Sequence, residues 1–142
     1  MKITVFGATG KTGSEVVRLA LDRGYNVVAF VRDSRKVTIE NPQLEVVQGE
    51  LGDKETLRTA LKGSDGVISA LGPTGKPSDA ELSDGIANVL SVMEEYGIKR
   101  FIVLSTTSNQ DSLDKDGSRF RMRRNMIRRG RPITYEQINK YS

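Results

Sequence analysis

The chain has 142 residues, of which 37% are hydrophobic and 28% charged, a balance typical of one soluble globular domain. It contains no cysteine and no histidine, which excludes disulfides, thiolate nucleophiles, a Ser-His-Asp triad and cysteine or histidine metal ligands. No charged-then-apolar leader precedes the first apolar run, and no run has transmembrane length, so we expect a cytoplasmic protein without a membrane partner or a metal. Its chemistry must come from a cofactor or from hydroxyl, carboxylate, lysine or tyrosine groups.

Short β-branched runs predict five strands, each covered on both faces, and amphipathic stretches predict three helices. In chain order we expect a strand at 3–6, a helix at 12–23, strands at 27–31 and 44–47, a helix at 53–62, a strand at 67–71, a helix at 79–96 and a strand at 101–104. Strands that alternate with helices predict an α/β fold with a doubly wound parallel sheet in the order 3-2-1-4-5. Ligands bind such a sheet at the carboxyl ends of strands 1 and 4.

The first of these ends carries the sequence Gly-Ala-Thr-Gly-Lys-Thr-Gly at residues 7–13, which two kinds of phosphate site could explain. A nucleotide-triphosphate P-loop needs a glycine five residues before Gly10, and that position is Val5. A dinucleotide-binding turn accounts for every glycine: Gly7 permits the tight turn, Gly10 admits a pyrophosphate and Gly13 lets the helix pack on the strand. Because strand, glycines, helix and second strand follow in the required order, this turn is favoured over one that binds nothing.

A basic sequence follows the second strand. Arg32 stands where an acidic residue would bind an unmodified ribose diol, and an arginine there accommodates a 2′-phosphate. Ser34, Arg35 and Lys36 follow closely, whereas Asp33 is expected to point away because side chains alternate along a strand. These basic residues predict NADP(H) as the cofactor. The alternative is that they form an ordinary charged loop.

The remaining strand ends supply the rest of a dinucleotide site. Glu50 and Leu51 follow the third strand and are placed to contact adenine. The small-residue loop 70–75 after the fourth strand leaves room for ribose and nicotinamide. Residues 105–108 bring four hydroxyl groups to the expected nicotinamide pocket, of which the last two are interpreted as a polar loop or a helix cap.

Five motifs occur together and in order: the glycine sequence, "VRDSRK", "GELGD", "ISALG" and "FIVLSTTS". This set resembles the atypical short-chain dehydrogenase/reductase proteins, in particular the NmrA-like and biliverdin-IXβ/flavin reductase group of NAD(P)H-binding domains. The resemblance covers residues 1 to 110 and implies a Rossmann fold with NADPH lying across strands 1 and 4.

The resemblance also implies roles for individual residues. Those expected to hold the cofactor phosphates are Thr9, Gly10, Lys11, Thr12 and Gly13 for the pyrophosphate, and Arg32, Ser34, Arg35 and Lys36 for the 2′-phosphate. Those expected to complete the cofactor site are Glu50 and Leu51 at adenine, Leu71 and Gly72 at ribose, and Gly7 and Ala70 in the adjoining turns. Ser105 and Thr106 would face nicotinamide and substrate and are the catalytic candidates, with Thr106 standing where these reductases commonly carry a serine.

The chain departs from the carbonyl-reducing members of this group. Those enzymes use a Tyr-x-x-x-Lys pair, whereas Tyr135 is followed at that spacing by Asn139, and Lys140 comes one residue late. Like the flavin and biliverdin reductases, the protein would then take hydride from NADPH and a proton from solvent. The acceptor would be a flavin, quinone or tetrapyrrole-like small molecule. A non-catalytic NADP(H)-binding regulator is the alternative.

The C-terminal part differs from the rest in charge. Residues 1–117 hold 14 basic and 17 acidic side chains, while residues 118–142 hold 8 basic side chains and one acidic. We treat 1–142 as one domain, with a core at 1–110 and a basic segment at 111–142 that is short for the family. Its arginines could bind nucleic acid, but a single aromatic residue among them offers little base stacking. We expect instead that 118–142 covers the open edge of the fifth strand, or that a second copy pairs there.

Overall fold

The computed structural model describes residues 1–72 and 79–104, with the side chains of 79–81 left out. The elements are β1 (Lys2–Phe6), α1 (Lys11–Asp22), β2 (Asn26–Val31), a 3₁₀ turn (Ser34–Lys36), β3 (Leu44–Gln48), α2 (Lys54–Leu61), β4 (Gly66–Ser69), α3 (Asp79–Glu95) and β5 (Phe101–Val103). Met1–Leu71 and Asp84–Leu104 form one compact unit, which contains all five strands.

Every strand pair in the sheet is parallel, and the order is β3-β2-β1-β4-β5. This confirms the predicted doubly wound topology. Phe6 at the end of β1 pairs with Ser69 at the end of β4, so the winding reverses between these two carboxyl ends. The fourth strand was predicted to run to Leu71, but it ends at Ser69 because neither neighbouring strand continues beyond that register position.

Two apolar cores lie on opposite faces of the sheet. One packs around α1 and consists of Ile3, Val5, Ala8, Val17, Ala20, Leu21, Val27, Ala29 and Val31. The other packs around α2 and α3 and consists of Phe6, Val28, Phe30, Leu57, Ala60, Leu61, Val67, Val89, Val92 and Met93. Because successive side chains of a strand point to opposite faces, the continuous apolar runs of β1 and β2 supply both cores.

The prediction that all five strands are covered on both faces was wrong for the two outer strands. Val46 of β3 is 38% exposed, and Ile102 and Val103 of β5 are 50% and 48% exposed. Both strands lie at the edges of the described sheet, each with a neighbouring strand on one side only. The segment 118–142, predicted to cover β5, lies outside the described residues.

Glycines end two of the helices as their positions in the sequence predicted. Gly24 follows α1 with φ of 75°, and Gly97 follows α3 with φ of 66°, a left-handed conformation that favours glycine. Among the described residues, no helix is both long enough and apolar enough to span a membrane.

Candidate functional site

The glycine turn between β1 and α1 is fixed by two very close backbone contacts. Gly7 has φ of 76°, and a Cβ atom there would lie 2.9 Å from the carbonyl carbon and oxygen of Ala70. A Cβ atom on Gly13 would lie 2.0 Å from the carbonyl oxygen of Gly7. Both positions therefore require glycine, Gly7 for the turn and Gly13 for the packing of the helix on the turn.

Gly10 behaves differently from the other two glycines. Its N–H donates to the Gly7 carbonyl at 3.0 Å, and its carbonyl accepts from the Ser14 N–H at 2.9 Å. Its residue surface is exposed, and the nearest atom to an added Cβ would be the Gly7 oxygen at 3.3 Å. This contact is tight but is not an overlap, so the packing of the protein requires glycine less strictly here than at Gly7 and Gly13. A position that admits the pyrophosphate of a ligand is expected to show such an open, exposed backbone.

The first turn of α1 provides the electrostatics of an anion site. Gly10 occupies the N-cap position and has no side chain with which to cap the helix, and the first turn contains no acidic residue. The leading N–H groups of a helix lack intrahelical acceptors and lie at the positive end of its dipole. Thr9, Lys11 and Thr12 are exposed beside them. This arrangement suits a phosphate.

The loop after β2 is organised by Asp33. Its carboxylate accepts from the Arg35 backbone N–H at 3.1 Å and from the Arg35 guanidinium through Nε at 2.9 Å and Nη2 at 3.0 Å. These hydrogen bonds hold the pKa of Asp33 below its ordinary value, with the Arg35 side chain as the largest cause. The loop is tied to β3 through the Ser34 N–H, which donates to the Gln48 side chain at 3.1 Å.

The pairing of Asp33 changes which charges of this loop are free. Arg35 is 88% exposed, but its guanidinium is engaged by Asp33. Arg32 and Lys36 are also exposed, and within the described ranges their side chains form neither a hydrogen bond nor an ion pair. Arg32 and Lys36 are thus ready to meet an anion, whereas Arg35 would first have to leave Asp33.

A small cavity of about 160 Å³ lies between the glycine turn and this loop. Its walls are formed by Ala8, Thr9, Ser14, Val17, Ala29, Lys36, Val37, Thr38 and Ile39. Thr9 and Lys36 are among the site residues predicted from the sequence, whereas Ser14 and Thr38, which bring two further hydroxyl groups, are not. No local pattern could have found them, because they come from separate elements that only the fold brings together.

The third and fourth strand ends complete the described part of the site. Glu50 is exposed and Leu51 is half-buried in the loop after β3. Ala70 and Leu71 are half-buried after β4, and Ala70 remains hydrogen-bonded to the end of β1 through its N–H and the Phe6 carbonyl at 2.9 Å. Since all the strands are parallel, these residues lie at the same carboxyl edge as the glycine turn and the basic loop.

Other predicted site residues are not brought into this arrangement by the described structure. Gly72 is described and exposed. The rest of the loop at 73–75, the catalytic candidates Ser105 and Thr106, and Tyr135 lie outside the described residues. Their roles stay predictions.

Comparison with known proteins identifies the family to which the chain belongs. A family model described as NAD(P)H-binding matches residues 7–136. The photosystem II assembly factor Ycf39 of Guillardia theta is 38% identical over 117 residues, which are 78% of this chain and 37% of that protein. A (4-alkanoyl-5-oxo-2,5-dihydrofuran-3-yl)methyl phosphate reductase of Streptomyces griseus is 32% identical over 124 residues, which are 81% of this chain and 44% of that protein. The chain spans about a third of the length of the assembly factors that it matches.

Solved structures show the same fold. A short-chain dehydrogenase/reductase from Veillonella parvula superposes with a TM-score of 0.74 at 14% identity, covering 98% of this chain and 62% of that one. An anaerobillin reductase from Escherichia coli O157:H7 superposes with a TM-score of 0.68 at 23% identity, covering 96% of this chain and 66% of that one. The prediction of a Rossmann fold is confirmed. The match to an NAD(P)H-binding family model agrees with the dinucleotide interpretation of the chain, while the role of the glycine turn in binding stays a prediction.

Proposed function

Because the chain belongs to the NAD(P)H-binding family, we propose that it is an NADPH-dependent reductase that delivers hydride to a flavin, quinone or tetrapyrrole-like acceptor. The observation that carries the proposal is the exposed Gly10 at the N-cap of α1. A Cβ atom there would make one tight contact, 3.3 Å from the Gly7 oxygen, so the packing of the protein excludes a side chain much less strictly than at Gly7 and Gly13. Next to Gly10 lie an uncapped helix N-terminus and a basic loop. Together these features form a site at which the pyrophosphate of a dinucleotide can bind without rearrangement of the turn.

The choice of NADPH over NADH rests on the charges after β2. Arg32 and Lys36 are exposed, and within the described part of the chain their side chains form no hydrogen bond or ion pair, so a 2′-phosphate can be met without breaking one. Lys36 does act on Asp33 through its charge, which contributes to the lowered pKa of that carboxyl. Asp33 is the group that would favour a ribose diol, but its carboxylate is already occupied by Arg35. An arginine–phosphate pair can be bidentate and charge-assisted, which makes it stronger than a neutral hydrogen bond.

In this proposal the chain mainly binds and orients. When bound, NADPH supplies a hydride, which together with a proton from solvent reduces the acceptor by two electrons. The first turn of α1 holds the pyrophosphate, Arg32 holds the 2′-phosphate and Leu51 contacts adenine. Ser105 and Thr106 would face the nicotinamide and the acceptor, as the resemblance to these reductases implies. A proton from solvent is proposed because Tyr135 lacks a lysine one helical turn later.

The names of the relatives support two readings. The relative from Streptomyces griseus is named a reductase, and the structure from Escherichia coli is that of an anaerobillin reductase, which supports turnover of a small acceptor. Four of the matching relatives are named photosystem II assembly factors, which supports the second candidate, a non-catalytic NADP(H)-binding protein that passes the state of the cofactor to a partner.

Turnover separates these candidates. The purified chain is first titrated with NADPH by calorimetry, and NADPH absorbance is then followed with a panel of flavins, quinones and linear tetrapyrroles. A reductase binds NADPH and oxidises it with at least one acceptor, and Gly10→Val loses both properties. Binding without oxidation by any acceptor would favour the regulator. A chain that binds neither NADPH nor NADH would contradict both candidates.

A further inference from the structure

The loop between β3 and α2, residues 49–53, is held at several points. At its start, a Cβ atom on Gly49 would come within 2.4 Å of the Thr56 methyl group and 3.2 Å of the Phe30 ring. At its end, Asp53 caps α2 by accepting from the N–H groups of Glu55 and Thr56 at 3.0 and 3.3 Å. Apart from Phe30 in β2, these anchors come from α2, the next element along the chain.

The middle of the loop is anchored by α3. The Asn88 side-chain amide donates to the Leu51 carbonyl at 3.1 Å, across 37 residues of sequence. One turn earlier on the same helix, Gly85 leaves space for the Leu51 side chain, since a Cβ atom there would lie 2.6 Å from the Leu51 Cβ. The carbonyl and the side chain of Leu51 are thus both held in contact with α3. Leu51 is the residue for which adenine contact is proposed.

We propose that Asn88 is a positioning residue for the adenine end of the cofactor site, acting through the Leu51 carbonyl. The inference rests on the proposed NAD(P)H site. The Leu51 carbonyl belongs to the peptide that joins Leu51 to Gly52, so rotation of this peptide would break the Asn88 hydrogen bond. Packing at Gly52 adds no restraint, since a Cβ atom there would meet no atom within 4 Å. Asn88 is half-buried, so its amide has limited access to water as a replacement partner.

Asn88→Asp is the sharpest test, because it keeps the shape of the side chain while replacing the donor by a second acceptor that faces the Leu51 carbonyl. We expect the affinity for NADPH and for adenosine 2′,5′-bisphosphate to fall by about three- to tenfold, the effect of one lost hydrogen bond. Reduced nicotinamide mononucleotide, which lacks adenine, should bind as it does to the wild type. The three ligands are compared by calorimetry at one ionic strength.

Two further variants distinguish positioning from a general loss of stability. Thr4→Val removes two other buried hydrogen bonds on the α2 side of the sheet, those of the Thr4 hydroxyl with the Ala60 carbonyl at 2.9 Å and with the Ser64 hydroxyl at 2.7 Å. It should leave all three affinities unchanged. Gly85→Ala favours the helix intrinsically but pushes on Leu51, so it should weaken the two adenine ligands as Asn88→Asp does.

The outcomes are distinct. A selective loss of the adenine ligands in Asn88→Asp supports the inference, and if that variant does not fold, the same selective loss in Gly85→Ala decides. Unchanged affinities, equal losses for all three ligands, or a similar loss in Thr4→Val would overturn the inference while leaving the proposed function in place. A wild type that binds neither adenine ligand would overturn the inference and the proposed NADPH site together.

Discussion

The two phosphate-binding segments predicted from the sequence, the glycine turn at 7–13 and the basic loop at 32–36, are built on different physical principles. In the turn, backbone atoms approach so closely that added Cβ atoms at Gly7 and Gly13 would lie 2.9 and 2.0 Å from their nearest neighbours. In the loop, the arginine and lysine side chains are exposed, and one aspartate organises the chain through hydrogen bonds.

Because of this difference, substitutions in the turn are expected to change the stability of the protein, and substitutions in the loop are expected to change its preference among ligands. A substitution in the turn acts on the fold first, because there is no space for the new atoms. A substitution in the loop acts on charge and leaves packing almost untouched, since exposed side chains contribute little to stability. Gly10 is the exception within the turn, because a Cβ atom there would make one tight contact, 3.3 Å from the Gly7 oxygen, rather than an overlap. The following predictions test this comparison, from the largest expected effect to the smallest.

Gly13→Ala should be the most damaging change. The new methyl group would overlap the Gly7 carbonyl oxygen, since its position lies 2.0 Å away. Gly7 has little freedom to move, because the Ala70 backbone also packs closely against it. We expect the free energy of unfolding to fall by about 3 kcal/mol or more, the upper part of the range for overpacked sites. Urea denaturation followed by circular dichroism measures it, with Gly52→Ala as the control because that position is open. Equal stabilities would mean that the turn relaxes easily.

Gly10→Val should abolish detectable NADPH binding while the fold is kept. The valine Cβ would make one tight contact, 3.3 Å from the Gly7 oxygen, and the side chain would occupy the place proposed for the pyrophosphate. Its cost in stability should be about 1 kcal/mol, because valine is a poorer N-cap residue than glycine. Calorimetric titration with NADPH and thermal unfolding of the same samples test both parts. Wild-type affinity in this variant would make the glycine motif purely structural.

Arg32→Ala should weaken NADPH binding by about ten- to a hundredfold and leave NADH nearly unchanged. The estimate corresponds to one charge-assisted contact with the 2′-phosphate, about 1.5–3 kcal/mol. Paired titrations with both cofactors at one ionic strength measure it. Arg23→Ala is the matched control, since it removes the same charge from an exposed position that precedes β2 rather than following it. Equal losses for NADPH and NADH would make Arg32 a surface charge only.

Asp33→Asn should produce the smallest effect, a severalfold gain in NADPH affinity. The lowered pKa of Asp33 keeps this carboxylate ionised at neutral pH, where it holds Arg35 and opposes an incoming phosphate. Asparagine caps as well as aspartate, so the 3₁₀ turn should persist while Arg35 is released. The NADPH titration is made at neutral pH beside the wild type. A weaker affinity would show that Asp33 positions the loop for the cofactor.

What could be predicted from the sequence depends on how local each feature is. The glycine roles followed from spacing alone, because the geometry of a tight strand–turn–helix junction leaves few alternatives. The ends of α1 and α3 followed from Gly24 and Gly97, whose left-handed backbone favours glycine. The sheet order followed from right-handed parallel crossovers together with a reversal of the winding after the third strand, as in dinucleotide-binding folds.

Other features depend on which segments meet after folding. The partner of Asp33 was decided by a 3₁₀ turn that brings Arg35 back onto its carboxylate. The cavity that includes Ser14 and Thr38, and the hydrogen bond from Asn88 to Leu51, join elements that no sequence period relates. The sequence by itself determined the backbone of the site, because close backbone contacts demand particular residues. Tertiary structure alone decided which side chains are free to bind, because that depends on partners brought together from distant parts of the chain.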